Sequence, residues 1–152
     1  MRSISGRIIF AAMSLLVVLV SPFTSAEINR QRALDNYIML CQGCHLPDAS
    51  GVPDKVPSIK DFAGHFLRVE GGREFLIRVP GSANSALDDI ELTELLNWML
   101  LEFSAQELPE NYQPLTVEEV GVLRKDPLTE VVHSRQKLVD AIARLGFHEA
   151  SN

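Results

Sequence analysis
Cys41-Gln42-Gly43-Cys44-His45 holds both cysteines of this 152-residue chain, and its chemistry constrains the molecule more than any other segment. Two thiols at this spacing admit a disulfide, a redox-active pair, part of a zinc site or covalent attachment of a haem. A redox pair expects a βαβ setting, whereas the flanks here read as helix before the motif and a Gly/Pro/Asp loop after it. Zinc needs four ligands, and no second cysteine pair or paired histidines follow at suitable spacing. The adjoining His45 favours haem: thioethers from Cys41 and Cys44 would fix the porphyrin and bring the imidazole beneath the iron.

Glu27 to Cys41 contains no Gly or Pro and places Leu34, Tyr37, Ile38 and Cys41 at i, i+3, i+4, i+7. That period predicts an amphipathic helix leading into the motif. Leu46 to Pro57, with three prolines and two aspartates, reads as a loop. Ile59 to Val69 and Gly72 to Val79 are short helical candidates parted by Gly71-Gly72. The best-marked helix follows Asp88, a capping residue with Glu91 three positions on, and carries Leu92, Leu95, Leu96 and Met99 as an apolar stripe to about Phe103. Trp98 beside that stripe is expected to pack on the first helix or on the haem edge.

Residues 1–26 have the parts of a secretory signal: Arg2 and Arg7, the apolar run Ile8 to Val20, then Ser21 to Ala26 with small residues at Thr24 and Ala26. A run of about 13 apolar residues falls short of the roughly 20 that span a bilayer, so cleavage after Ala26 and a periplasmic location without a stable membrane span are expected. Taking Arg2 and Arg7 from the 14 basic residues leaves 12 against 20 acidic, which moves the net charge from -6 to -8. Such a chain repels nucleic acid phosphates. Its roughly 126 remaining residues suit one modest core. No glycine loop for phosphate and no nucleophile elbow occurs, and Asp88-Asp89 and Glu118-Glu119 read as helix starts, not catalytic pairs.

These residues together resemble the class I monohaem c-type cytochromes. The resemblance runs from about Arg30 to Phe103. It rests on Tyr37 ahead of C-x-x-C-H, on Pro57-Ser58-Ile59, similar to the family's P-x-L, and on Leu87-Asp88-Asp89-Ile90-Glu91, similar to the L-S-D-E-E that opens its last helix. It implies an all-α fold whose first and last haem-domain helices cross, with one covalent haem c in a crevice between loops. It further implies His45 as proximal iron ligand, the Pro57 carbonyl as acceptor for the His45 Nδ1 proton, and single-electron transfer between redox proteins, such as a periplasmic dehydrogenase and an oxidase or another cytochrome.

The methionine that the family usually places before its last helix is missing. Val79-Pro80-Gly81-Ser82-Ala83-Asn84 stands there instead, and valine has no lone pair for iron. Met99 belongs to an apolar stripe, which leaves His65 as the candidate sixth ligand. With no side chain on the sixth position the site would take peroxide, CO or NO, and His65 with Arg68 would then be placed to act as acid and base in a haem enzyme.

Beyond Phe103, Pro109 to Pro114 reads as a connector. Thr116 caps a helix with Glu118-Glu119 in its first turn and Arg124-Lys125 near its end. Asp126-Pro127 then reads as cap and first residue of a second helix, whose apolar face runs through Leu128, Val131, Val132, Leu138, Val139, Ile142 and Leu145 to a stop at Gly146. The expected division is an export segment 1–26, a haem domain 27–104 and a two-helix extension 105–152, packed on the haem domain or docked beside it. As a docking arm, the extension would make the chain a subunit of a larger dehydrogenase. The acidic surface predicts docking to a basic partner at a rate that falls with salt.

Overall fold
Asn29 starts the first helix: its side chain accepts a hydrogen bond from the Arg32 N–H, and α1 (Arg30–Leu40) follows. The computed structural model describes residues 28–53 and 55–149, so the export segment expected over 1–26 lies outside the described residues. α1 buries Ala33 and Tyr37 and leaves Leu34 and Ile38 exposed, which turns its buried face one position from the expected stripe. The small Ala33 lets α1 approach α4 (Asp89–Phe103), and the Tyr37 ring lies 5.8 Å from Trp98 and 5.2 Å from Phe103. Aromatic packing therefore overrides the simple period count.

α4 begins as its sequence predicts, with the Asp88 carboxylate accepting from the Glu91 N–H. It buries residues on every side, so its polar members need partners. Glu94 is paired with Arg32 and accepts from the Asn29 N–H, tying α4 to the start of α1. Asn97 accepts from the Leu115 N–H at 2.8 Å and donates to the Leu115 carbonyl at 2.9 Å, tying α4 to the chain beyond it.

Between these helices the path is less regular than expected. A 3₁₀ helix at Ala63–Arg68 replaces a helix over Ile59 to Val69, because Asp61 sits in the left-handed region at φ 55 and interrupts any winding that starts earlier. α2 (Gly72–Arg78) and α3 (Pro80–Ala83) are parted by extended Val79, with Pro80 at the first position of α3.

α5 (Val117–Leu123) opens with a capping box between Thr116 and Glu119. α6 (Val131–Arg144) begins four residues later than the Asp126-Pro127 start expected for it. The intervening stretch is held by α2 instead: Arg78 binds the Asp126 carbonyl and carboxylate, and the Leu128 N–H donates to the Arg78 carbonyl. α5 packs on α4 and α2, and α6 packs on the 3₁₀ helix and α2, where Ile142 joins Phe62, Phe66 and Phe75 in a buried cluster. The fold is all-α among the described residues, with a single isolated bridge between Val52 and Val56.

Candidate functional site
The motif folds as the frayed end of α1. The N–H groups of Cys41 and Gln42 both donate to the Tyr37 carbonyl, and those of Cys44 and His45 donate to the Cys41 carbonyl at 3.1 and 2.9 Å. This tight turn brings Cys41, Cys44 and His45 onto the wall of one cavity of about 390 Å³. The volume falls in the usual range for a cofactor site, and the wall is dominated by apolar residues from α2, α4 and the loops.

The loop after His45 is shaped by its own backbone. Tyr37 Oη donates to the Leu46 carbonyl at 2.7 Å, Val52 and Val56 bond reciprocally at 2.8 Å, and the Ala49 carbonyl accepts from Ile59 and Lys60. Gly51 makes this possible: a Cβ there would fall 1.8 Å from the Val56 carbonyl oxygen. The product is a closed loop that carries Pro57 to the cavity beside His45.

Burial holds the His45 pKa below its ordinary value, and the Pro57 carbonyl opposes that shift. His45 Nδ1 is nonetheless buried with no partner of hydrogen-bond geometry, so the carbonyl is near without being bonded. Burial first, and Cys44 second, push the Cys41 thiol up to about 11. A redox-active pair lowers a cysteine pKa to expose a thiolate. Cys41 goes the other way, which argues against disulfide exchange at this motif.

These features fit a haem c. Two adjacent sulfurs, an imidazole with a buried unpartnered nitrogen and an apolar cavity meet at one place. Among the described residues no group of three or more His, Cys, Asp or Glu is placed to hold a metal ion by itself.

Two expected participants lie elsewhere. His65 is buried in the 3₁₀ helix, but it is absent from the cavity wall and stacks on Phe147 with ring centroids 4.3 Å apart and planes 24° from parallel. Burial lowers its pKa as well. Arg68 spends its guanidinium on the Glu107 and Leu108 carbonyls at 2.8 and 2.7 Å and lies over the Phe147 ring. The acid–base pair considered for peroxide chemistry is therefore built into the contact with the C-terminal region. Trp98 packs on α1 and not on the cavity.

Met99 does reach the wall, along with Leu92, Leu95 and Leu96. Val79, Pro80, Gly81, Ser82 and Ser85 form another part of it and bring no sulfur or imidazole. The sequence reading missed the contribution of α6, whose Val131 and Arg135 line the same cavity. A signal was available: Val131, Arg135, Leu138 and Ile142 share one face of the helix, so Arg135 is a charge inside an apolar stripe.

With a haem-type motif, an all-α frame and a cavity between them, the chain belongs to the c-type cytochromes. Two proteins named cytochrome c-552, both from Thermus thermophilus, are each 30% identical to it over 118 residues. The match covers 64% of this chain in both cases, and 90% and 80% of the respective relatives. No family model matches the chain. Among the described residues no helix is long and apolar enough to cross a membrane.

Proposed function
We propose that the protein is an exported, periplasmic class I cytochrome that carries single electrons between redox proteins through one covalently bound haem c. The observation that carries this reading is the convergence of Cys41, Cys44 and His45 on one apolar cavity beside Pro57. When bound there, the haem supplies an iron that gains and loses one electron.

The chain's own residues do the rest. Cys41 and Cys44 would hold the ring through thioether bonds, which fixes its position in both oxidation states. His45 would bind the iron through Nε2, and the Pro57 carbonyl would accept from Nδ1, satisfying the buried nitrogen and orienting the imidazole. Leu92, Leu95, Leu96 and Phe75 exclude water, so little solvent rearranges when charge changes. Residues 27–104 form the haem domain in this reading, and 105–152 an extension that supplies part of its wall. The acidic surface would steer it to a basic face of an oxidase, dehydrogenase or second cytochrome.

Expression alongside cytochrome c maturation machinery tests this directly. A covalent haem that survives denaturation, a mass increase of one haem per chain and loss of attachment in Cys44→Ala are the expected results. Colourless protein with both thiols free overturns the reading. For docking, the electron-exchange rate with a basic redox protein should fall as ionic strength rises, and a rate indifferent to salt would exclude electrostatic steering.

A second reading, small-ligand binding at the sixth position, is favoured by one observation: Val79, Pro80, Gly81, Ser82 and Ser85 line the cavity without a sulfur or imidazole for iron, and His65 is stacked away from it. Met99 is the remaining soft donor on the wall. A Soret shift on adding CO to the reduced protein identifies an accessible sixth position. A methionine–iron charge-transfer band in the oxidised protein, abolished in Met99→Leu, identifies Met99 as the ligand.

A further inference from the structure
Among the described residues that line the cavity, only Lys55 and Arg135 carry a formal charge, and both are cations. No carboxylate of the described residues lines the wall with them. Lys55 is exposed on the loop that presents Pro57, where water screens it. Arg135 is different: its side chain is 21% exposed, and it stands on an otherwise apolar stripe of α6 with its guanidinium carbon 6.0 Å from the Phe62 ring centroid. Desolvating a guanidinium beside aromatic and aliphatic groups is costly unless an anion answers it.

One anion is in place. Arg135 Nη2 donates to Glu149 at 2.5 Å. Nε and Nη1 make no hydrogen bond among the described residues, so donors remain on the guanidinium for a second acceptor. A haem c has such acceptors in its two propionates, which leave the ring at the edge opposite the thioethers. Arg135 and the cysteines reach the cavity from separate elements: α6 packs on the 3₁₀ helix and α2, whereas Cys41 ends α1, which packs on α4.

We infer that Arg135, carried by the C-terminal helix, pairs with a haem propionate and raises the reduction potential, which makes the extension a working part of the redox site. The inference rests on the haem reading above. A fixed cation beside the ring favours the reduced state, which carries one more negative charge, and its low-exposure setting weakens screening. Glu149 acts in the opposite sense by sharing the same guanidinium. Arg135 is a positioning and tuning residue, with no bond to iron.

The test uses the full-length, matured holoprotein and measures haem content and midpoint potential by spectroelectrochemistry. In Arg135→Gln the one-electron reduction equilibrium should fall on the order of tenfold, which is about 59 mV for one electron. Arg135→Lys should recover most of that loss. Glu149→Gln should shift the equilibrium a few-fold in the opposite direction. An Arg135→Gln protein with normal haem content and an unchanged potential overturns the inference, as does an Arg135→Lys protein that falls as far as the glutamine variant. If Arg135→Gln fails to retain haem, Glu149→Gln decides: a raised potential supports the pairing and an unchanged one overturns it. Colourless wild-type protein overturns the haem reading itself, a separate outcome from a coloured protein whose potential ignores Arg135.

Discussion

α1 and the chain around α5 are joined to the rest of the fold by different means. α1 is held by packing: Ala33 and Tyr37 fit against Leu95 and Trp98, and two further aromatic contacts close the cluster. α5 and the connectors on either side of it are held by arginines that reach across 37 to 48 positions to backbone carbonyls, whereas α6 is held by the apolar cluster of Ile142 with Phe62, Phe66 and Phe75. Arg124 donates to the Ala83, Ser85 and Leu87 carbonyls, Arg73 to those of Gln113 and Pro114, and Arg78 to that of Asp126. The difference teaches that α1 is fixed mainly by the shape of its aromatic contacts, with the Arg32–Glu94 pair beside them, and the chain around α5 by charge-assisted hydrogen bonds to carbonyls.

Substitutions on the two sides separate these modes. Trp98→Ala, which empties the α1–α4 contact, should cost about 3–5 kcal/mol in urea unfolding with little change on adding salt. Loss under 1 kcal/mol would mean that α1 is held mainly by the Arg32–Glu94 pair. Arg124→Met should cost about 2–3 kcal/mol, because three carbonyls lose a charged donor whose side chain is only 13% exposed. Limited proteolysis of that variant should cut first between Ser85 and Asp88, and cleavage confined to α1 would refute the proposed anchoring.

Smaller effects sharpen the comparison. Tyr37→Phe removes the hydrogen bond to the Leu46 carbonyl and should cost about 1 kcal/mol. Burial raises the Tyr37 pKa from 10.0 to about 12, so the folded state prefers the protonated phenol. Its contribution to stability is complete below pH 10 and is lost as pH rises toward 12. Urea titrations across that window should show the decline in wild type and a shallower one in Tyr37→Phe. Asp48 gives the smallest effect, and at the acid end. The Ser50 hydroxyl first, then Lys60, hold its carboxyl at about 2, down from 3.8, so its contribution is present above pH 3.8 and lost as pH falls through about 2. The stability gap between wild type and Asp48→Asn should close over that interval, and a gap that persists below it would remove Asp48 from the account.

How much of this was legible follows from the same contrast. Cys41, Cys44 and His45 lie within one five-residue stretch, so their spacing alone singles them out, Pro57 was expected through the resemblance to class I cytochromes, and Asp88 and Thr116 announce their helices through local caps. The late start of α6 was not legible, because a distant residue, Arg78, captures Asp126 before it can cap. The stacking of His65 on Phe147 spans 82 positions and leaves no local trace. The buried face of α1 was misjudged by one position because counting hydrophobic residues gives no weight to a small alanine that allows close approach.

The arginine clasps carry an evolutionary consequence. Every residue type has a carbonyl oxygen, so the gripped stretches around Ala83–Leu87 and Gln113–Pro114 are free to drift in sequence while their backbone course is kept, whereas the gripping arginines are not. Variation among descendants of this chain should therefore be lopsided: tolerant on the receiving segments, strict at Arg73, Arg78 and Arg124, which belong to no recognisable signature.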